Sequence, residues 1–162
     1  MKKSIYFLLF IHSIVFVISC DNANDSEPKV DQHQSESYVT TNGTASNDGC
    51  KKTYLRTLDA EEIVRLKAIG QNQLQLNHLN SILNCAPGKI SFDAQVGKDA
   101  IIIKETEEDI SANCVCPYDL EYTITIPVAG KYQLSINGYK YGTFEFNANT
   151  HVELKKQGPV SL

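Results

Sequence analysis

Cys114-Val115-Cys116-Pro117-Tyr118-Asp119-Leu120-Glu121-Tyr122-Thr123-Ile124-Thr125-Ile126-Pro127 is the stretch on which the fold turns. Apolar or aromatic side chains occupy every second position from Cys114 to Ile126, and Asp119, Glu121, Thr123 and Thr125 fall between them. Successive side chains of an extended strand point to opposite faces. The pattern therefore predicts a long, half-buried antiparallel strand with both cysteines facing inward. Its outer face, Asp119 to Thr125, is left to water or to a neighbour.

Upstream, Pro87-Gly88 marks a turn, after which Ile90, Phe92, Ala94 and Val96 alternate with Ser91, Asp93 and Gln95. Ala100-Ile101-Ile102-Ile103 is continuously apolar, which predicts a strand covered on both faces. The acids Glu105, Glu107, Glu108 and Asp109 then read as a solvated strand end, since a calcium loop needs several oxygens in a defined geometry. Further back, Ile63–Ala68 and the run through Leu74 and Leu76 both have period two around Gly70-Gln71-Asn72. That predicts a hairpin over 62–69 and 72–84. A short helix over 59–68, with Asp59 at its cap and Glu62 three residues on, is the competing reading.

Downstream, Ala129-Gly130 leads into Tyr132, Leu134 and Ile136, and Asn137-Gly138 is a strong hairpin signal. A two-residue loop turns Tyr139 and Tyr141 inward, whereas a three-residue loop turns Phe144 and Phe146 inward. Only a bulge, placed at Gly142, reconciles the two sets. Exposing two phenylalanines costs more, so Phe144 and Phe146 are expected inside, with Tyr139 and Tyr141 forming an exposed candidate ligand surface. Residues 150–155 add a last strand. The fold class that follows is all-β: an antiparallel β-sandwich, immunoglobulin-like or related, of about 7–8 strands. A domain over 50–162 is long enough to bury such a core.

The beginning of the chain has a different character. Lys2 and Lys3 precede an apolar run from Ile5 to Ile18, which is too short for a comfortable membrane span and has the shape of a secretory signal over 1–19. Val17-Ile18-Ser19-Cys20 resembles a bacterial lipobox, with Ile18 where a smaller residue is commoner. The resemblance implies cleavage before Cys20, acylation of its thiol and new amino terminus (a palmitate-type anchor), and a stable membrane tether. Residues 20–49 hold almost nothing apolar beyond Val30, Tyr38 and Val39, and are expected to form a lipidated flexible spacer. Its acids Asp21, Asp25 and Glu27 resemble the export tags of surface-exposed outer-membrane lipoproteins, and a solvated linker with no sorting role is the competing reading. The expected address is the cell envelope, anchored to the outer membrane. The whole chain carries a net charge of −4, concentrated in that spacer. There is no basic patch with interleaved aromatics, so nucleic acid is not an expected partner.

With Cys20 assigned to lipid, Cys50, Cys85, Cys114 and Cys116 remain. An even set in an exported domain predicts two disulfides. Cys114 and Cys116 are two apart on one strand, roughly 6.5–7 Å between Cα atoms, at the limit for a bridge. Each is therefore expected to pair with either Cys50 or Cys85. The alternative is a metal site of Cys85, Cys114, Cys116 and His78, since thiolate and imidazole suit zinc or copper. Against it, structural zinc sites space paired cysteines by two to four residues.

The ensemble of Leu76–Asn80, Asn84-Cys85, Ile101–Glu105, Cys114–Leu120 and Gly130–Tyr132 resembles small bacterial lipoprotein domains of uncharacterised function. Their Cys-x-Cys-Pro-Tyr-Asp-Leu core is the most distinctive part. The resemblance implies a secreted β-domain and brings no activity with it. Nucleophile elbows, phosphate loops and His-Glu-x-x-His are all missing from the sequence. Asp119 and Glu121 share a face, but an open sheet face gives no reason for shifted pKa values. The expectation is a non-enzymatic, membrane-anchored envelope protein without a cofactor, which binds or displays a protein or glycan partner.

Overall fold

Period-two patterning becomes ten strands among the residues described by the computed structural model, 38–51 and 61–160. These are β1 (Val39–Thr44), β2 (Ser46–Asn47), β3 (Ile63–Ala68), β4 (Gln73–Asn84) and β5 (Lys89–Val96). They continue with β6 (Ala100–Glu108), β7 (Val115–Thr125), β8 (Gly130–Ile136), β9 (Tyr139–Phe146) and β10 (His151–Lys155). The signal and Cys20 lie outside the described residues, while the helical alternative over 59–68 is overturned, because Ile63–Ala68 is strand β3 and pairs with β4. Two five-stranded sheets form, one in the order β1-β5-β6-β8-β9 and the other β10-β3-β4-β7-β2. Pairing is antiparallel except between β6 and β8, which run parallel. The parallel pair arises because the chain leaves the first sheet after β6, runs β7 in the second, and returns as β8 beside β6.

The sheets share one core. Leu66, Leu74, Leu76, Leu120 and Ile124 from the second sheet meet Ile90, Ile101, Ile103, Leu134 and Phe146 from the first. Phe92 of β5 stacks on Tyr122 of β7, with ring centroids 4.4 Å apart, an offset pairing that adds to what burial alone contributes.

Several expectations need correction. The domain starts before residue 50. Val39–Thr44 pairs along its length with β5, and Ala45 is buried, so part of the supposed spacer is an edge strand. Thr40, Asn42 and Thr44 face water, while Thr41 is half-buried and accepts from the Thr125 amide at 3.1 Å. The rest of the strand's order comes from backbone pairing, which leaves no apolar alternation to read. Ile102 is 45% exposed, so β6 is covered on one face only. The acidic run does close β6 as a solvated strand end at Glu108 and Asp109, which are exposed, but Glu105 faces the core. Cys114 is exposed and lies just outside β7, while Cys116 is buried.

The β8–β9 hairpin combines features of both registers weighed above. Asn137 and Gly138 have φ of 49° and 80° and make a two-residue loop, the primed geometry that matches strand twist. The register then shifts between Leu134 and Ser135, and Gly142 takes φ 132°. The bulge at Gly142 turns Phe144 and Phe146 inward as expected. It also leaves Tyr141 buried, at 1% exposure, so Tyr141 is not part of an exposed platform.

A second bulge sits in β4, where His78 pairs with Leu120 but Ser81 pairs with Tyr118. Leu74, Leu76 and His78 face inward before it, and Ser81 and Leu83 after it. One extra residue has flipped the parity, so the inward face is kept. Asn80 absorbs the kink at φ 60°. Its amide donates to Asp119 Oδ1 at 3.0 Å, its Nδ2 to the Glu61 carbonyl at 2.9 Å, and its Oδ1 accepts from Lys51 Nζ at 2.9 Å. Asp119 also pairs with Lys51. Asp119→Ala should therefore lower stability by about 1–2 kcal/mol, the cost of an unpaired part-buried amide. Glu121→Ala, on the same face, should stay within about 0.5 kcal/mol. Urea unfolding of the two variants checks this, and equal midpoints would remove Asp119 as the anchor of the bulge.

Candidate functional site

Both bulges deliver polar side chains to one place between the sheets. His78 of β4 is 1% exposed. Its Nδ1 lies 2.8 Å from Glu105 Oε1 of β6, and its Nε2 lies 2.9 Å from Glu62 Oε1, just ahead of β3. The Tyr141 hydroxyl of β9 is 2.8 Å from Nε2 and donates to Glu62. Tyr122 of β7 donates to Glu105 Oε1 at 2.9 Å. Asn137 Nδ2 donates to Glu105 Oε2 at 3.2 Å, and Ser81 Oγ does so at 3.4 Å. Lys156, just past β10, donates to the other Glu62 oxygen at 2.6 Å.

Electrostatics follow from that geometry. Burial disfavours a charged imidazole, but the hydrogen bonds it donates to Glu105 and Glu62 outweigh that and raise His78 from 6.5 to about 9. Burial likewise pushes Glu62 up, yet the hydrogen bonds from His78, Lys156 and Tyr141 bring it down from 4.5 to about 2. Tyr122 and Tyr141 are driven upward, by burial first and then by the neighbouring carboxylates, so both keep their protons. With both ring nitrogens donating to carboxylates, His78 is a buried cation at neutral pH and in that state offers no lone pair for general-base work. The cluster ties β4 and β7 of one sheet to β6 and β9 of the other.

The sulfur atoms make a second constellation. Cys50 bonds Cys116 and Cys85 bonds Cys114, with Cα separations of 5.8 and 5.5 Å, inside the usual disulfide range. Each strand cysteine thus takes one of the partners anticipated for it. The two bridges are neighbours: the Sγ atoms of Cys50, Cys85 and Cys116 lie within 4.8 Å of one another. An open groove of about 410 Å³ lies over them, lined by Cys50, Cys85, Pro87, Ile90 and Tyr118 among others. His78 does not join this group. Its ring nitrogens are taken by Glu62 and Glu105, so the set of Cys85, Cys114, Cys116 and His78 is not assembled.

Of the two tyrosines, Tyr139 remains 40% exposed, with the Lys156 ammonium 4.0 Å above its ring centroid. Tyr141 points inward to His78. Sequence reasoning overlooked Glu62 and Glu105. Their signal was present: Glu105 continues the parity of Ile101 and Ile103, and His78 that of Leu74 and Leu76, so two ionisable residues stand at core positions of adjacent sheets. Among the described residues no helix is long and apolar enough to cross a membrane. No protein-family model, no curated protein and no solved structure matches this chain.

Proposed function

We propose that the chain is a cell-envelope lipoprotein, acylated at Cys20 and held at the outer membrane. Its antiparallel β-sandwich, immunoglobulin-like or related, has a non-enzymatic role in binding or display. The observation that carries this reading is the cysteine account. Of the five cysteines in the chain, four are joined in two disulfides, and Cys20 is the one left, directly behind an apolar leader and Ser19. Disulfides persist in exported proteins and are rare in reducing compartments. A second support is the character of the ionic cluster: at neutral pH its histidine is a cation held between two carboxylates, an arrangement suited to joining sheets.

A Cys20→Ala variant should leave the membrane fraction and lose metabolic palmitate label, while the two disulfides still form. Retention in the membrane fraction at the wild-type level would refute the anchor. The partner, a protein or a glycan, would meet the outward face of β7 or the exposed edge of Tyr139.

A further inference from the structure

The neighbouring bridges at the ends of β4 and β7 differ in access. Cys114 is exposed, Cys85 and Cys50 are half-buried at the groove, and Cys116 is in the core. We infer that this corner is a thiol–disulfide exchange site that accepts an incoming thiolate at Cys114 and passes the exchange through Cys85 to the Cys50–Cys116 bridge. The inference goes beyond the lipoprotein reading and does not depend on the anchor.

The chemistry balances as a series of exchanges. A thiolate of a dithiol reductant attacks Cys114 Sγ, forming a mixed disulfide and releasing the Cys85 thiolate. That thiolate stands within 4.8 Å of both Cys50 Sγ and Cys116 Sγ. Its attack on either sulfur forms one new bridge, to Cys50 or to Cys116, and releases the other cysteine as the next thiolate. The second thiol of the reductant then resolves the mixed disulfide on Cys114 and leaves as a cyclic disulfide. One sulfur–sulfur bond forms for each one broken. Two electrons pass from the dithiol to the protein, and the protein ends with one bridge and two thiols.

Backbone pairing holds Cys85 beside Cys114 and Cys116, and the intact Cys50–Cys116 bridge holds Cys50 there until it is attacked. Leu83 pairs with Cys116 and Asn84 with Val115 in the β4–β7 ladder, and the Cys85 amide donates to the Cys114 carbonyl at 3.0 Å. Opening Cys85–Cys114 therefore does not carry Cys85 away from its neighbours. The exchange is intramolecular, with the high effective concentration that this confers. A structural bridge standing alone would lack this third sulfur.

Cys114→Ser in the full chain tests the step directly, because it leaves Cys85 as a thiol beside an intact bridge. After incubation at mildly alkaline pH, acid quench and peptide mapping, Cys50–Cys85 or Cys85–Cys116 linkages should appear in amounts comparable to Cys50–Cys116. Alkylation should be shared among the three cysteines. The Cys85→Ser/Cys114→Ser variant should show Cys50–Cys116 alone. If Cys114→Ser also keeps only Cys50–Cys116, with all the label on Cys85, the relay is wrong. Wild-type protein treated with limiting dithiothreitol provides the same reading without a substitution. One-bridge species should include linkages to Cys85 other than Cys114, and recovery of native pairs alone overturns the inference.

Discussion

Replacing Glu105 by Ala is expected to lower the unfolding free energy by roughly 3–5 kcal/mol, the range for breaking a buried ion pair from one side. The Glu105 side chain is 0% exposed and accepts hydrogen bonds from Tyr122 and Asn137 as well as holding the His78 cation. Its loss leaves the imidazolium with Glu62 alone and strands the Tyr122, Asn137 and Ser81 donors between the sheets. A control is available at Arg65–Glu153, a pair whose side chains are about half exposed; Glu153→Ala should cost at most about 1 kcal/mol. Non-additivity is the sharper result. In His78→Leu/Glu105→Leu neither charge is left without its partner, so the double variant should lose less than the sum of the singles, by about 1–3 kcal/mol of coupling. Additive losses in urea unfolding would mean that His78 and Glu105 do not act as a unit.

The same cluster sets a pH window. His78 is raised from 6.5 to about 9, so its contribution is fully present below pH 6.5 and is lost as pH rises through about 9. Glu62 is lowered from 4.5 to about 2, so its contribution is present above pH 4.5 and is lost as pH falls towards 2. Stability from this source should therefore be greatest between pH 4.5 and 6.5. The groups facing His78 come from every packed element: Glu105, Glu62, Tyr141 and Tyr122, with Lys156 behind Glu62. In His78→Leu the alkaline decline should flatten, since the group that releases its proton is gone. An unchanged alkaline limb in that variant would assign the decline to other groups.

How far all this was legible in the sequence depended on what each residue reports. Strands β3 to β10 announced themselves because each buries one face, and burial of one face writes period two into the chain. The β1 strand did not, because an edge strand of Thr, Asn and Gly is held by its backbone. The bulge at Gly142 could be deduced, since two sets of aromatics required two parities; the one at Asn80 could not, since a single histidine gives no such conflict. Glu105 was misjudged for a physical reason. A carboxylate in a run of acids looks solvated until its partner is known, and His78 lies 27 residues away in the other sheet. The cysteine pairing narrowed to two choices by reach alone. Choosing between them depends on β2 and the segment after it, which place Cys50 against Cys116 and not against Cys114.

That placement makes Cys50–Cys116 the more consequential bridge. In the chain-entropy account a bridge stabilises by restricting the unfolded chain, and more so for a longer loop. The two bridges span 66 and 29 residues, which corresponds to about 4 and about 3.5 kcal/mol. Folded-state context widens the gap. Cys85–Cys114 sits at the end of a ladder that already pairs Leu83 with Cys116 and Asn84 with Val115, so its removal leaves that geometry supported. Cys50 follows a two-residue strand joined to β7 at Ser46 and Asn47 only, with one further backbone bond from Lys51 to Pro117. Cys50→Ala/Cys116→Ala should lower Tm by roughly 15 °C at the usual conversion for a domain of this size. Amide exchange should also quicken across Ser46–Lys51. Cys85→Ala/Cys114→Ala should shift Tm less and leave exchange in that segment unchanged. Alanine is preferred to serine because Cys116 is buried and a hydroxyl there would be left without a partner. A larger Tm loss from the shorter loop, or protected amides across Ser46–Lys51 without its bridge, would show that β2 holds its place unaided.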